Sequence, residues 1–289
     1  MARPKTLAAA VLALAASTTA AAEVRSATFR SAALGRDVAY VVDLPPSYDK
    51  GDRAYPVVVA LHGLFESSAF WERRGLAPIL ADLRQRGEVP EFLVVAVDGG
   101  NSFFVNGPDG RYQDLVTQDV LAHIAATYRV KPGRDGRALL GISMGGYAAL
   151  RIALQQPEVF RAVATHSAML LEKPPSPQDG AGRWHMAAFQ KVFGEPIDIA
   201  RWAEADPLAA AQKADPKTAP ALYFDCGKED RFGLFVGNED LHKSLTARGI
   251  AHTFSLDPGD HGYEFVRSVL ARSLKFLGSA LGPVTKETK

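Results

Sequence analysis

A serine between two glycines lies near the middle of the chain, where residues 141–145 read Gly-Ile-Ser-Met-Gly. Residues 137–140 before it are typical of a buried strand, and residues 147–154 after it are typical of a helix. Between a strand and a helix, this spacing predicts a sharp turn that projects the hydroxyl of Ser143 above a sheet, where it can act as a nucleophile. The glycines relieve the crowding of such a turn. The alternative is a glycine-rich turn with an incidental serine.

A serine hydroxyl is a weak nucleophile unless a histidine accepts its proton and an acidic residue orients that histidine. Folds with this serine turn place the acid and then the histidine later in the chain. The histidines after Ser143 are His166, His185, His242, His252 and His261. Only His261 lies in a glycine-flanked loop between the last predicted strand and the last predicted helix, so it is the predicted base.

The acid is expected in the loop after the preceding predicted strand, which Gly227 ends. Asp230 lies three residues into this loop and is the first choice, with Glu229 second. Asp225 still belongs to the strand pattern, and Asp260 is too close to the histidine in sequence to orient it. The alternative for Glu229 and Asp230 is a solvated turn or a helix cap.

The negative oxygen that forms when a serine attacks an ester needs two preorganised N–H donors. The first is expected from the backbone of Met144, directly after the serine. The second is expected from the loop after a buried strand at residues 55–61, which reads His62-Gly63-Leu64. Gly63 allows the backbone to turn its amides inward, so Leu64 N–H is the predicted second donor.

These loops require a sheet and helices to position them. Apolar runs predict strands at residues 38–42, 55–61, 92–97, 137–140, 160–165, 221–226 and 252–256. Helical patterns lie at residues 76–86, 115–128, 147–154, 238–248 and 263–277. The alternation predicts an α/β fold in which a mostly parallel central sheet carries helices on both faces. We expect a single domain over residues 23–289.

One segment, residues 172–220, interrupts this alternation. It is rich in proline, aspartate and alanine, and it carries Trp184 and Trp202. A structureless loop of that length is rare inside a compact domain. We therefore expect a helical insertion that is a candidate lid, with an ordinary helical excursion as the alternative.

The N-terminal residues 1–22 have the three parts of a secretory signal peptide: basic residues, an apolar stretch at residues 7–16, and small residues ending at Ala22. The apolar stretch is shorter than the roughly 20 residues that a membrane span needs. We expect cleavage after Ala22 and a secreted or periplasmic protein without stable membrane insertion.

Composition excludes several classes of partner. The chain has 33 basic and 32 acidic residues, so it shows no excess of the positive charge that nucleic-acid binding requires. Its one cysteine, Cys226, cannot form an intramolecular disulfide and is expected to be a buried small hydrophobic residue. No residues have metal-ligand spacing and no glycine-rich loop suits a phosphate, so no metal and no cofactor are expected.

Aromatic residues near the predicted strand ends favour a small-molecule ester with an apolar or aromatic portion. The candidate substrate-binding residues are Phe65, Trp71, Phe103, Phe104, Tyr147 and Trp184. Taken individually, each of them is better suited to the core than to a pocket.

Taken together, residues 61–63, 108–112, 141–147, 227–230 and 259–261 resemble the motifs of the esterase D / putative esterase family of α/β-hydrolases. Antigen 85-type mycolyltransferases, feruloyl esterases and S-formylglutathione hydrolases belong to that family. The resemblance spans residues 38–277 and implies Ser143 as nucleophile, Asp230 as acid and His261 as base. It also implies the backbone amides of Leu64 and Met144 as the oxyanion hole.

This chain differs from many relatives at Tyr263, where tryptophan is frequent, and at Gln113, where an acidic residue is frequent. Both differences bear on which acyl group or alcohol is accepted. We expect a secreted serine carboxylesterase. The alternatives are an acyltransferase that uses the same acyl-enzyme and a non-catalytic binding protein on a hydrolase scaffold. S-formylglutathione is not the expected substrate, because it is cytosolic and this chain is predicted to be exported. The sequence does not predict the oligomeric state.

Overall fold

The computed structural model describes residues 23–178 and 180–283. The strands are β1 (Glu23–Ser31), β2 (Arg36–Leu44), β3 (Val57–Leu61), β4 (Leu93–Val97), β5 (Asn106–Gly107), β6 (Gly110–Arg111), β7 (Arg137–Ile142), β8 (Ala162–His166), β9 (Ala221–Gly227) and β10 (His252–Asp257). The helices are α1 (Phe70–Arg73), α2 (Leu76–Gln85), α3 (Tyr112–Asp114), α4 (Leu121–Thr127), α5 (Met144–Gln155), α6 (Gly180–Phe193), α7 (Ile199–Ala205), α8 (Pro207–Lys213), α9 (Leu234–Ala247) and α10 (Tyr263–Leu281).

The central sheet has eight strands in the order β1-β2-β4-β3-β7-β8-β9-β10. From β4 to β10 all neighbouring strands are parallel, whereas β2 runs antiparallel to both β4 and β1. The predicted mostly parallel sheet is therefore confirmed. Strand β1 was not predicted, because this edge strand buries only Phe29 and Ser31 fully and lacks the apolar run of a central strand.

Strand β3 lies at the centre of the sheet and is buried along its whole length, as its β-branched sequence predicts. Val57 and Val59 face a core layer that includes α5 and α9, while Val58 faces a second layer that includes α2 and α10. Helices therefore cover both faces of the sheet. Among the described residues, no helix has the length and apolar character of a membrane span.

The predicted helix at residues 115–128 is present, but it is not a uniform α-helix. A π-helical segment, Leu115–Val120, connects α3 to α4. Its wider turns rotate the residues that follow, so Leu121 is buried and Ala125 is exposed.

The segment between β8 and β9 contains α6, α7 and α8, as expected for a helical insertion. Phe189 and Phe193 of α6 and Trp202 of α7 are buried. Phe103 stacks on Phe189 with ring centroids 4.8 Å apart. The ring centroids of Tyr147 in α5 and Trp202 are 6.2 Å apart. The insertion is thus packed into the core on one side of the sheet.

We predict that Gly145→Ala destabilises the fold. A Cβ at residue 145 would lie 2.3 Å from the carbonyl oxygen of Leu61, which is backbone and cannot move aside. Such overpacking costs roughly 1–3 kcal/mol. In thermal unfolding, Gly145→Ala should therefore lower Tm by several degrees. Gly262→Ala is the control, because no atom lies within 4 Å of a Cβ there; equal Tm values for the two variants would contradict the prediction.

Candidate active site

Ser143 occupies the turn between β7 and α5 in a strained backbone conformation, with φ 53° and ψ −117°. The surrounding backbone holds this conformation: Ser143 N–H donates to His166 O at 3.0 Å, and Ser143 O accepts from Met169 N–H at 3.0 Å. A Cβ at residue 141 would lie 2.2 Å from the carbonyl oxygen of Gly145, so glycine is required there. The turn predicted from the sequence motif is present.

The structure brings the three predicted residues Ser143, His261 and Asp230 together in one hydrogen-bonded chain. His261 Nε2 lies 3.1 Å from Ser143 Oγ, and His261 Nδ1 lies 2.8 Å from Asp230 Oδ2. Because the carboxylate can only accept from Nδ1–H, Nε2 carries the lone pair that faces the serine hydroxyl. This arrangement can remove the serine proton as the oxygen attacks an electrophile.

Asp230 is held in place by several groups. The carboxylate accepts a hydrogen bond from Phe232 N–H at 3.0 Å, and the thiol of Cys226 lies 3.6 Å from Oδ2. Burial and the charge of Asp230 both raise the pKa of the Cys226 thiol, which therefore stays protonated and can donate. Cys226 is buried as expected, but its contact with Asp230 was not predicted.

Glu229, the second choice for the acid, has a different partner. Its Oε2 accepts a hydrogen bond from Gly259 N–H at 2.5 Å. Next to it, Arg231 binds Asp260 with its guanidinium and its backbone N–H, and the guanidinium hydrogen bond lowers the pKa of Asp260 to about 2. These two contacts tie the loop of the acid to the loop of His261.

The loop after β3 runs beside the serine, since a Cβ on Gly63 would lie 3.6 Å from Ser143 Cβ. His62 is fully buried and fixes this loop: its Nε2 accepts from Gly99 N–H at 3.0 Å, and its Nδ1–H donates to Gly63 O at 2.7 Å. The carbonyl of Gly63 and the N–H of Leu64 belong to the same peptide group and point in opposite directions. Because the carbonyl points to the His62 ring, the Leu64 N–H points away from that ring.

The two predicted oxyanion donors, Leu64 N–H and Met144 N–H, have no acceptor within residues 23–178 and 180–283. The amide of Met144 opens α5, where the first N–H groups of a helix lack intrahelical partners. Both amides are therefore unpaired within the described residues, as donors to an oxyanion must be. The role of His62 was not predicted, because the tertiary contact with Gly99 is not visible in the sequence.

A second group of serine, histidine and aspartate lies in the protein interior. His166 Nδ1 is 2.9 Å from Asp225 Oδ1, and His166 Nε2 is 3.0 Å from Ser273 Oγ. All three side chains are completely buried, so no substrate reaches them. Within the described part of the chain, no three potential ligands are arranged to hold a metal ion.

The aromatic residues proposed to bind substrate divide into two sets. Trp71, Phe103, Phe104 and Tyr147 are at most 2% exposed and belong to the core. For example, Tyr147 donates a hydrogen bond from its hydroxyl to Ala205 O at 2.5 Å. Only Phe65 and Trp184, which are 66% and 64% exposed, present ring surface to solvent. The position of an aromatic residue in a loop does not show from the sequence whether its ring turns into the core or toward solvent.

The fold and this arrangement define an esterase of the α/β-hydrolase class, and comparison with known proteins agrees. Residues 31–277 match the family model "Putative esterase", so the chain belongs to that family. The predicted family, fold and enzyme class, a serine hydrolase of carboxylic esters, are confirmed.

Two relatives and one solved structure illustrate the similarity. The chain is 27% identical to S-formylglutathione hydrolase of Paracoccus denitrificans, over 88% of this chain and 92% of that protein. It is 25% identical to acetyl esterase of Caldicellulosiruptor saccharolyticus, over 68% of this chain and 75% of that protein. The structure of a ferulic acid esterase superposes with a TM-score of 0.77 at 25% identity and covers 91% of this chain and 99% of that chain.

We predict that Asp230→Asn lowers kcat by about 10⁴, because an amide in place of the carboxylate favours the wrong tautomer of His261. Glu229→Gln is the matched control and should change kcat only mildly, since Glu229 contacts Gly259 and not the imidazole. Steady-state kinetics with a chromogenic ester distinguishes the two. A larger loss in Glu229→Gln than in Asp230→Asn would transfer the role to Glu229.

Proposed function

We propose that the protein is a secreted serine carboxylesterase in which Ser143 forms an acyl-enzyme. The observation that carries the proposal is the hydrogen-bonded chain from Ser143 through His261 to Asp230. As Oγ attacks the ester carbonyl carbon, His261 Nε2 takes the serine proton. The carboxylate of Asp230 stabilises the resulting imidazolium and fixes its orientation.

The attack places negative charge on the former carbonyl oxygen. In the proposed mechanism the N–H groups of Leu64 and Met144 donate to this oxygen, and the positive end of the α5 dipole adds to their effect. His261 then gives its proton to the leaving alcohol oxygen, which departs. A water molecule attacks the acyl-enzyme by the reverse sequence and releases the carboxylic acid.

Hydrolysis is proposed in preference to acyl transfer, because the relatives described above carry the names of hydrolases and esterases. The substrate class is a carboxylic ester. An alcohol added to the assay tests the alternative, because an acyltransferase of the mycolyltransferase type would form a new ester in place of the free acid. A non-catalytic binding protein would form neither product.

We predict that a fluorophosphonate labels Ser143. The reagent should add its mass to the peptide that contains Ser143 and abolish ester hydrolysis, because the reaction requires a serine activated by a neighbouring base. Ser143→Ala should remove the labelling and lower kcat by about 10⁶.

Ser273→Ala is the control for this experiment, because Ser273 also contacts a histidine but is completely buried. It should leave the labelling intact. Labelling of another serine, or full activity in Ser143→Ala, would refute the assignment of Ser143.

We also predict that the mature protein begins at Glu23, after export and cleavage of residues 1–22, which lie outside the described residues. N-terminal sequencing of protein recovered outside the cytoplasm checks this. Ala22→Arg should block cleavage, because signal peptidases need a small residue there. A native chain that keeps Met1 and stays in the cytoplasmic fraction would contradict export.

A further inference from the structure

Four rings from four separate segments form a row in space at the candidate site, and each ring contacts the next. They are Phe65 in the loop after β3, His185 in α6, Phe232 in the loop after β9, and His261. The ring centroids are 5.7 Å apart for Phe65 and His185, 5.0 Å for His185 and Phe232, and 4.8 Å for Phe232 and His261. We call these four residues the aromatic collar. Through His185 the insertion therefore reaches the surroundings of Ser143.

His185 is held in this position by a break in its own helix. Its φ of −129° and ψ of 18° depart from helical geometry inside α6. Its Nδ1 is buried and makes no well-aligned hydrogen bond among the described residues, although the backbone of Trp184 lies beside the ring. An unpartnered buried polar atom is unfavourable for folding, so packing alone gives no reason for a histidine here. Because Nδ1 is enclosed, Nε2 is the nitrogen that a ligand can reach.

The protonation state of His185 defines the ligand group that it suits. Burial is the main cause that lowers the pKa of His185, and the neighbouring His261 lowers it further, so the His185 ring is neutral at neutral pH. A neutral imidazole has one donor and one acceptor nitrogen. A hydroxyl group can both donate and accept, and it can therefore pair with Nε2 in either tautomer.

The surroundings of His185 favour an aromatic group that carries this hydroxyl. Phe65 is 66% exposed and Trp184, the neighbour of His185, is 64% exposed. Exposed aromatic side chains beside a candidate active site offer apolar surface to a ligand. A planar ring laid on Phe65 would remove apolar surface from water and bring a substituent toward the imidazole.

The collar also indicates which part of the ester it meets. Phe232 contacts His261, and His261 is the group that returns a proton to the leaving alcohol oxygen in the proposed mechanism. The alcohol portion therefore departs on the His261 side of Ser143. His185 is close to that side, because it contacts Phe232, which in turn contacts His261.

We propose that His185 is a specificity-determining residue that binds the hydroxyl of an aromatic ring in the alcohol portion of the ester. This inference depends on the proposed esterase function. It assigns the insertion a direct part in choosing the substrate, through His185 and not through Trp184 alone.

The test compares two acetate esters that differ only in the hydroxyl: para-hydroxyphenethyl acetate, esterified at its aliphatic oxygen, and phenethyl acetate. The parent enzyme should favour the hydroxylated ester by about tenfold in kcat/KM, the effect of one hydrogen bond. His185→Phe keeps a ring in the collar but removes both nitrogens, and the ratio should fall to about one. His185→Gln keeps a donor and an acceptor and should retain most of the preference.

A matched control is His123→Phe, which removes a histidine stacked on Phe29 near the far edge of the sheet. It should leave the ratio unchanged. Fluorophosphonate labelling and Tm show whether each variant is folded with an intact Ser143. If His185→Phe does not fold, His185→Gln and His185→Asn supply the comparison, with the ratio expected to fall further in the shorter side chain.

The outcomes separate this inference from the function on which it depends. Parent activity with the same ratio in His185→Phe overturns the inference and leaves the esterase assignment intact. The ring-bearing acyl esters methyl para-hydroxyhydrocinnamate and methyl hydrocinnamate form the second arm. A His185-dependent preference only in that arm overturns the placement on the alcohol side. No hydrolysis and no labelling in the parent overturn the proposed function and this inference together.

Discussion

The strained backbone of Ser143 is the constraint on which the rest of the site depends. A φ of 53° and ψ of −117° at a non-glycine residue persist only where the surrounding structure enforces them. Here His166 of β8 accepts a hydrogen bond from the Ser143 N–H, and Met169, in the segment after β8, donates one to the Ser143 carbonyl. Gly141 and Gly145 complete it, because side chains at either position would overlap backbone atoms. The turn places the hydroxyl at the edge of the sheet, where Ser143 is only 5% exposed, between a buried strand and a buried helix.

The parallel sheet explains why residues far apart in the chain meet at this turn. The loops after β3, β7, β9 and β10 all leave the same edge, so each contributes one part of the site. Contacts between loops then refine the positions: His62 orients the loop after β3, and Glu229 ties the acid loop to the loop of His261. The interior group around His166 has similar hydrogen-bond distances, but it is completely buried and no substrate can reach it.

Much of this arrangement was predictable from local sequence. Buried parallel strands appear as apolar runs, the serine turn has a glycine signature, and chain order selects Asp230 and His261 from several candidates. Strand β1 was missed because an edge strand with exposed residues has no such run. The contacts of His62 and Cys226 were missed because they depend on residues brought together only by folding. The orientation of the aromatic residues in loops could not be predicted from local sequence for the same reason.

The packing of the insertion has a consequence for how such enzymes diverge. Helix α6 carries His185 in the collar, and it also carries Phe189 and Phe193, which pack against Phe103 in the core. One helix therefore serves both recognition and folding, a few residues apart. The insertion is not a separable cap that can be exchanged between relatives without its core partners. Single substitutions on the outer turn of α6 offer a route to new selectivity that leaves the interior untouched.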